Sequence, residues 1–253
     1  MSVEKLMAFV LVLVRVASVL AFLPLLGQET APQVIKALAA VAISLVLLPV
    51  GGAEVAVRGW QAEHFLMYVG AEVLFGVLMG VGALLIYKAL GTAGEMIGQQ
   101  MGMALDFVTD PITGDEGSPV STFCEVVGAM TFFAVGGHLC MIQALHDSFI
   151  QWPLGAFVAP DFVRHITLTA ATQSMVMAFQ LAAPLLLLSF LVSLTMAVMA
   201  RLVPEMNVLI VGFPMKVSVG LVGLVLFVPF LVRYAADLSR VMVEFMTRVA
   251  GGA

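Results

Sequence analysis

Charge is what this sequence has least of. Lys, Arg, Asp and Glu make up 11% of its 253 residues, where a soluble domain carries about 25%. That shortage excludes a globule able to cover itself with polar groups in water. Bases are scarcer than acids, 11 against 16, for a net charge of −5. No basic patch is present, which argues against a nucleic-acid binder. Cysteine is nearly missing: only Cys124 and Cys140 occur. Both fall in one apolar run read as a single helix, where 16 residues of separation is about 24 Å of rise. That excludes a disulfide between them within such a helix and leaves two small packing residues. Neither HExxH nor GxSxG occurs, so zinc-protease and serine-hydrolase chemistry lack their local signatures. No catalytic, cofactor-binding or metal site is expected. The apolar runs are continuous rather than alternating in stretches of about ten residues, so a membrane β-barrel is set aside.

What is present is grease. The chain is 62% hydrophobic, with a mean hydropathy of +1.10. Apolar segments fall near 6–26, 34–50, 65–87, 121–146, 168–200 and 206–232. An all-α, polytopic membrane protein with about six apolar helical segments is the expectation. The first run, Leu6 to Leu26, exceeds a signal-peptide core and lacks a small-x-small cleavage site, so it reads as a retained span. The second is about 17 residues, close to the minimum for crossing. The fifth, of about 33 residues, would be about 50 Å long if straight. It carries Pro184, and the sixth carries Pro214 and Pro229, each expected to kink its helix. Groups freed by such breaks need protein or water around them, which points to a buried place in an assembly. With six spans, Lys5, Arg58, Arg164, Arg233, Arg240 and Arg248 share a side against Lys88 and Arg201. The positive-inside rule then places both termini in the cytoplasm.

One stretch departs from the rest: GEMIGQQMGMALDFVTDPITGDEGSP, from Gly94 to Pro119. Gly94, Gly98 and Gly102 recur every four residues and share a helix face, which predicts close helix contact. Gly76 and Gly80 make a second such pair. Glu95, Gln99 and Gln100 lie beside the ladder as buried polar residues in need of partners. Met96, Met101 and Met103 are deformable fillers. Asp106, Asp110, Pro111, Gly114, Asp115, Glu116 and Gly117 are loop chemistry. The apolar Leu105, Phe107 and Val108 stand at the lip of that loop. A hydrophobic constriction there would exclude water, as in channels.

Three motifs in order carry a resemblance over essentially the whole chain. They are GEMIGQQMGMAL with Asp110-Pro111 and then SPV at 118–120, FFAVGGHLCMIQALHDSFIQWPLG from Phe132 to Gly155, and ARLVPEMNVLIVGFPMKVSVG from Ala200 to Gly220. Arg15 and Pro24 also fit. The sequence resembles the FliR family, the flagellar export-gate subunits, and their counterparts in type III secretion injectisomes. One departure is Glu205, where the family is expected to carry glutamine. The resemblance implies a subunit of a cone-shaped gate in the bacterial inner membrane, at the flagellar basal body. It would assemble as one copy beside five FliP and several FliQ, near FlhB and FlhA, with unfolded exported proteins as cargo. It implies a FliP-like portion over about 1–200 and a FliQ-like hairpin over 201–253. It also maps a pore plug onto Leu105, Phe107 and Val108, with Met101 and Met103 as a gasket. Arg15, His138, Arg201, Asn207 and Lys216 are read as buried structural polar residues. Glu72, Glu95, Glu125 and Glu205 are the candidate acids for Arg15, Arg201 and Lys216.

Two other classes compete. A secondary transporter would use broken helices and buried Glu95, Arg201 and Lys216, but the sequence shows no internal repeat. An intramembrane enzyme could use His138 with Cys140, or His146 with Asp147. His138, in GGHLC, reads instead as hydrogen-bonded within a helix bundle.

Overall fold

A computed structural model describes residues 3–22, 32–49, 64–103, 118–156, 159–203 and 208–251. Among them all regular structure is helical. Seven helices follow one another: α1 Val3–Ala21, α2 Gln33–Leu47, α3 Phe65–Gln100, α4 Pro119–Ala134, α5 Gly137–Gln151, α6 Pro160–Leu202 and α7 Val208–Gly251. In apolar surroundings a backbone can satisfy its N–H and C=O groups only within itself, and long helices are the result.

Where they are described, the six apolar segments are each helical, with one correction. The run 121–146 is two helices bent by 68° at a break of a few residues. Gly136 takes a left-handed φ of 77°, and its N–H closes on the Phe133 carbonyl at 3.0 Å. A glycine in that conformation ends a helix without a Cβ penalty. Cys124 and Cys140 therefore lie on different helices, both as free thiols.

Among the described residues, fewer helices than six are long and apolar enough to cross a bilayer. By length and composition, α3, α6 and α7 qualify, and α4 with α5 makes a fourth if the bent pair is one span. The α2 helix has only 15 residues. The α1 helix carries Glu4, Lys5 and Arg15 within 19 residues. The shared side expected for the termini needs an even number of crossings: four keep it, three do not. The prolines do not end their helices: Pro184 lies inside α6, and Pro214 and Pro229 inside α7. At 43 and 44 residues, α6 and α7 are each about 65 Å long, twice a hydrocarbon core.

The chain divides into two compact units. The first comprises Met1–Tyr87, Phe133–Gln173 and Ser239–Ala253. In it α2 packs on α1, and α1 meets α3 across small residues. A Cβ at Gly76 would lie 2.5 Å from Ser18 Cβ and 2.9 Å from the Arg15 carbonyl oxygen. At Gly80 it would lie 3.0 Å from the Val19 carbonyl oxygen. His165, Ile166, Thr169 and Gln173 of α6 share a cleft with Val241, Glu244, Phe245 and Arg248 of α7.

The second unit comprises Lys88–Phe132 and Ser174–Leu238. There the Tyr234 hydroxyl donates to the Met177 carbonyl at 2.9 Å. A Cβ at Gly223 would lie 2.6 Å from Leu188 Cδ2. These pairs run in opposite directions along the two helices, so α6 and α7 form an antiparallel hairpin. Residues 208–251 are one helix, so the hairpin expected within 201–253 is made by α6 together with α7, and position 201 stands near its turn. In its most apolar stretch α3 has 56% of residues buried, against 28% in α6 and 17% in α7. Phe179, Phe190, Leu226 and Phe230 are among the large apolar side chains left exposed.

Candidate functional site

Two clusters concentrate the polar and glycine chemistry, one in each unit. In the second unit the glycine ladder of α3 meets α4. A Cβ at Gly94 would lie 2.6 Å from Ser121 Cα and 2.9 Å from its nitrogen. At Gly98 it would lie 2.6 Å from Ser118 Oγ. Gly91 continues this face and holds the Glu125 carboxylate over it. The Ser121 hydroxyl donates to the Gly91 carbonyl at 3.0 Å. Lys88 Nζ donates to Glu125 Oε1 at 2.8 Å. The contact is thus two matched rows, Gly91–Gly94–Gly98 against Glu125–Ser121–Ser118. Backbones this close gain dispersion along the whole face, as small-residue helix contacts do in membranes. Ser118 also accepts the Ser121 N–H at 3.1 Å, capping α4 just before Pro119, where proline suits a first helical turn.

Gly102 does not belong to that face. Its φ is 85°, and its N–H closes on the Gln99 carbonyl at 3.1 Å, so it terminates α3. Met101 is fully buried. A Cβ on Gly220 of α7 would lie 2.5 Å from its Cε. Expected as part of a gasket, Met101 is a packing residue here because α7 offers it a glycine notch. Met103 is half-buried. Leu105, Phe107 and Val108 lie outside the described residues, as does Asn207.

The other expected buried polar residues divide. Glu95 and Gln99 are exposed and Gln100 is half-buried, since α4 covers only the glycine face of α3. Arg201 is exposed in the last turn of α6, where a cation suits the helix dipole. Lys216 is half-buried. His138 packs on Phe133 with ring centroids 5.4 Å apart. Its Nδ1 is buried without a hydrogen-bond partner, contrary to the expected bond. His146 Nδ1 and Asp147 Oδ1 are 3.0 Å apart and both side chains are partly exposed.

Arg15 is the buried cation of the first unit, 1% exposed like Glu72. Its Nε donates to Glu72 Oε2, and its second terminal nitrogen donates to Oε1 at 3.0 Å. Its remaining terminal nitrogen donates to the carbonyls of Ser148 and Trp152, each at 3.1 Å. The guanidinium lies 4.7 Å from the Phe75 ring centre and 4.5 Å from that of Phe149. Glu72 Oε1 also accepts the Gly155 N–H at 2.7 Å. An arginine alone at membrane depth costs about 2.5–3.5 kcal/mol even on the mildest scale. Here nearly every donor and both carboxylate oxygens are used, which is the condition for tolerating a buried pair.

The sequence reasoning named Arg15 and placed Glu72 among its four candidate acids. It missed Gly91, Ser118, Ser121 and Lys88. Their signal was the repeat of one spacing, three then four residues, in both rows.

Residues 6–242 match the family described as bacterial export proteins, family 1. Among similar proteins, the flagellar biosynthetic protein FliR of Aquifex aeolicus is 32% identical over 91% of this chain and 88% of its own length. The protein of the same name from Bacillus subtilis is 26% identical over 94% and 93%. Yop proteins translocation protein T of Yersinia pestis is 26% identical over 73% and 71%.

Proposed function

The chain belongs to the bacterial export proteins, family 1, and from that membership we propose that it is a non-catalytic channel subunit of the flagellar type III export gate. It sits in the inner membrane and assembles with FliP and FliQ homologues, near FlhB and FlhA, around the path of unfolded exported proteins. The observation that carries this is the match over nearly the full length, both of this chain and of flagellar relatives. Physical features support it. The α6 and α7 helices are too long for one plain crossing and leave most of their apolar faces open. Glu95 and Gln99 stand exposed on a helix otherwise fit for a membrane, and such groups face water or a polar neighbour rather than lipid. The 94–119 stretch forms the gate, with Leu105, Phe107 and Val108 as its apolar plug and Met103 beside it. The chain has a longer FliP-like part and a FliQ-like C-terminal part.

The injectisome counterpart is the second reading, favoured by the match to translocation protein T. Complementation separates the two. Expressed in a flagellated host lacking its own FliR, the chain restores export of flagellar subunits. Restored secretion only in an injectisome strain lacking its equivalent subunit supports the second reading.

A further inference from the structure

We infer that Arg15 and Glu72 act as a clasp on the turn between α5 and α6, rather than as a simple ion pair between α1 and α3. The contacts divide unevenly. Two bonds join Arg15 to Glu72, and three more run from the pair to main-chain groups of Ser148, Trp152 and Gly155. The Ser148 carbonyl already accepts the Trp152 N–H at 3.0 Å. The pair also bonds the Trp152 carbonyl and the Gly155 N–H, one group on each side of the turn. Gly155 has a φ of 79°, a conformation that turns its N–H toward α3 and that glycine alone adopts freely. Between these two residues the chain makes its corner. Trp152 is wedged between Phe75 of α3, with centroids 5.9 Å apart, and Phe162 of α6, at 5.6 Å. Leu154 is buried at the tip. Pro160, five residues on in the sequence, starts the second-longest described helix, so holding the corner restricts where α6 begins.

The geometry is specific to arginine. Its planar fork spends one edge on the carboxylate and another on two carbonyls, with two aromatic rings within 5 Å of its centre. Lysine keeps the charge but cannot hold both groups. Glutamate has the length to reach both Arg15 and the Gly155 N–H; aspartate is one methylene short. Arg15 and Glu72 are thus positioning residues for the corner.

Accessibility of the corner tests this in the full chain, co-expressed with FliP and FliQ homologues and kept in membranes. A Leu154→Cys substitution, in a background with Cys124→Ala and Cys140→Ala, places a thiol at the buried tip. Its rate of reaction with a small maleimide is the readout. The clasp predicts slow labelling with Arg15 and Glu72 present. With Arg15→Lys, or with Glu72→Asp, labelling rises tenfold or more while the chain accumulates in membranes at close to its usual level. A simple ion pair predicts no rise with either conservative change. Normal accumulation with unchanged labelling in both variants overturns the clasp. Failure of both variants to accumulate overturns it as well, because the pair is then required for the fold as a whole rather than for holding this corner.

Discussion

Gly94 of α3 and Ser121 of α4 approach so closely that a Cβ on the glycine would lie 2.6 Å from the serine Cα. No side chain can yield there, because the obstacle is backbone. At Gly98 the obstacle is the Ser118 hydroxyl, 2.6 Å away, which can rotate. Gly94→Ala is therefore expected to destabilise the chain by about 1–3 kcal/mol, the usual cost of overpacking, and Gly98→Ala by less. Gly70 has nothing within 4 Å of a Cβ, so Gly70→Ala serves as the neutral control. Thermal aggregation midpoints of the purified protein in detergent rank the three.

Gly102 should respond to conformation rather than to space. Phe213 is its nearest neighbour, with Cδ2 at 3.4 Å from a Cβ, an ordinary contact. Its φ of 85° is the difficulty. Gly102→Val is expected to cost more than Gly102→Asn, since asparagine tolerates the left-handed region and β-branched residues do not. Yield of folded protein under identical expression reads the order.

Much of this architecture was legible from composition. Apolar runs gave the helices, because a chain with so little charge has few other ways to satisfy its backbone in a membrane. The break at Gly136 was hidden, since Gly136-Gly137 inside an apolar run is compatible with either a continuous membrane helix or a stop. Gly102 was misread for a related reason. Its four-residue spacing continues the ladder, yet the helix ends at Gln100, and spacing alone does not reveal where a helix stops. The link from Arg15 to Glu72 spans 57 positions. Residue type restricts such a pairing to a few acids but does not choose one. Pro153 and Gly155 signal a turn at the 152–155 corner, but nothing in the sequence says which side chains its main-chain groups meet.

Tyr234 offers a local test of the α6–α7 hairpin. Its hydroxyl donates to the Met177 carbonyl at 2.9 Å and lies 3.2 Å from Gln180 Oε1. Tyr234→Phe removes the donor and keeps the ring, so a loss of about 1 kcal/mol is expected. Gln180→Ala, which leaves the Met177 bond in place, should cost less. Unfolding midpoints of the two variants check the difference.

The plug requires a functional readout. Trimming Leu105, Phe107 and Val108 together to Ala removes apolar bulk from the proposed constriction, and water can then wet it. Ion conductance of the reconstituted complex should rise while its yield holds. Lost yield without leak would instead make these three residues packing for a loop.

One part of a gate should be stable only beside its partners. The most direct measurement is the native mass of the tagged chain, purified once alone and once after co-expression with FliP and FliQ homologues. With the homologues it should leave the membrane in one defined particle containing all three proteins, and alone it should be degraded or aggregate. A stable, monodisperse monomer under both conditions would rule out a place in the gate.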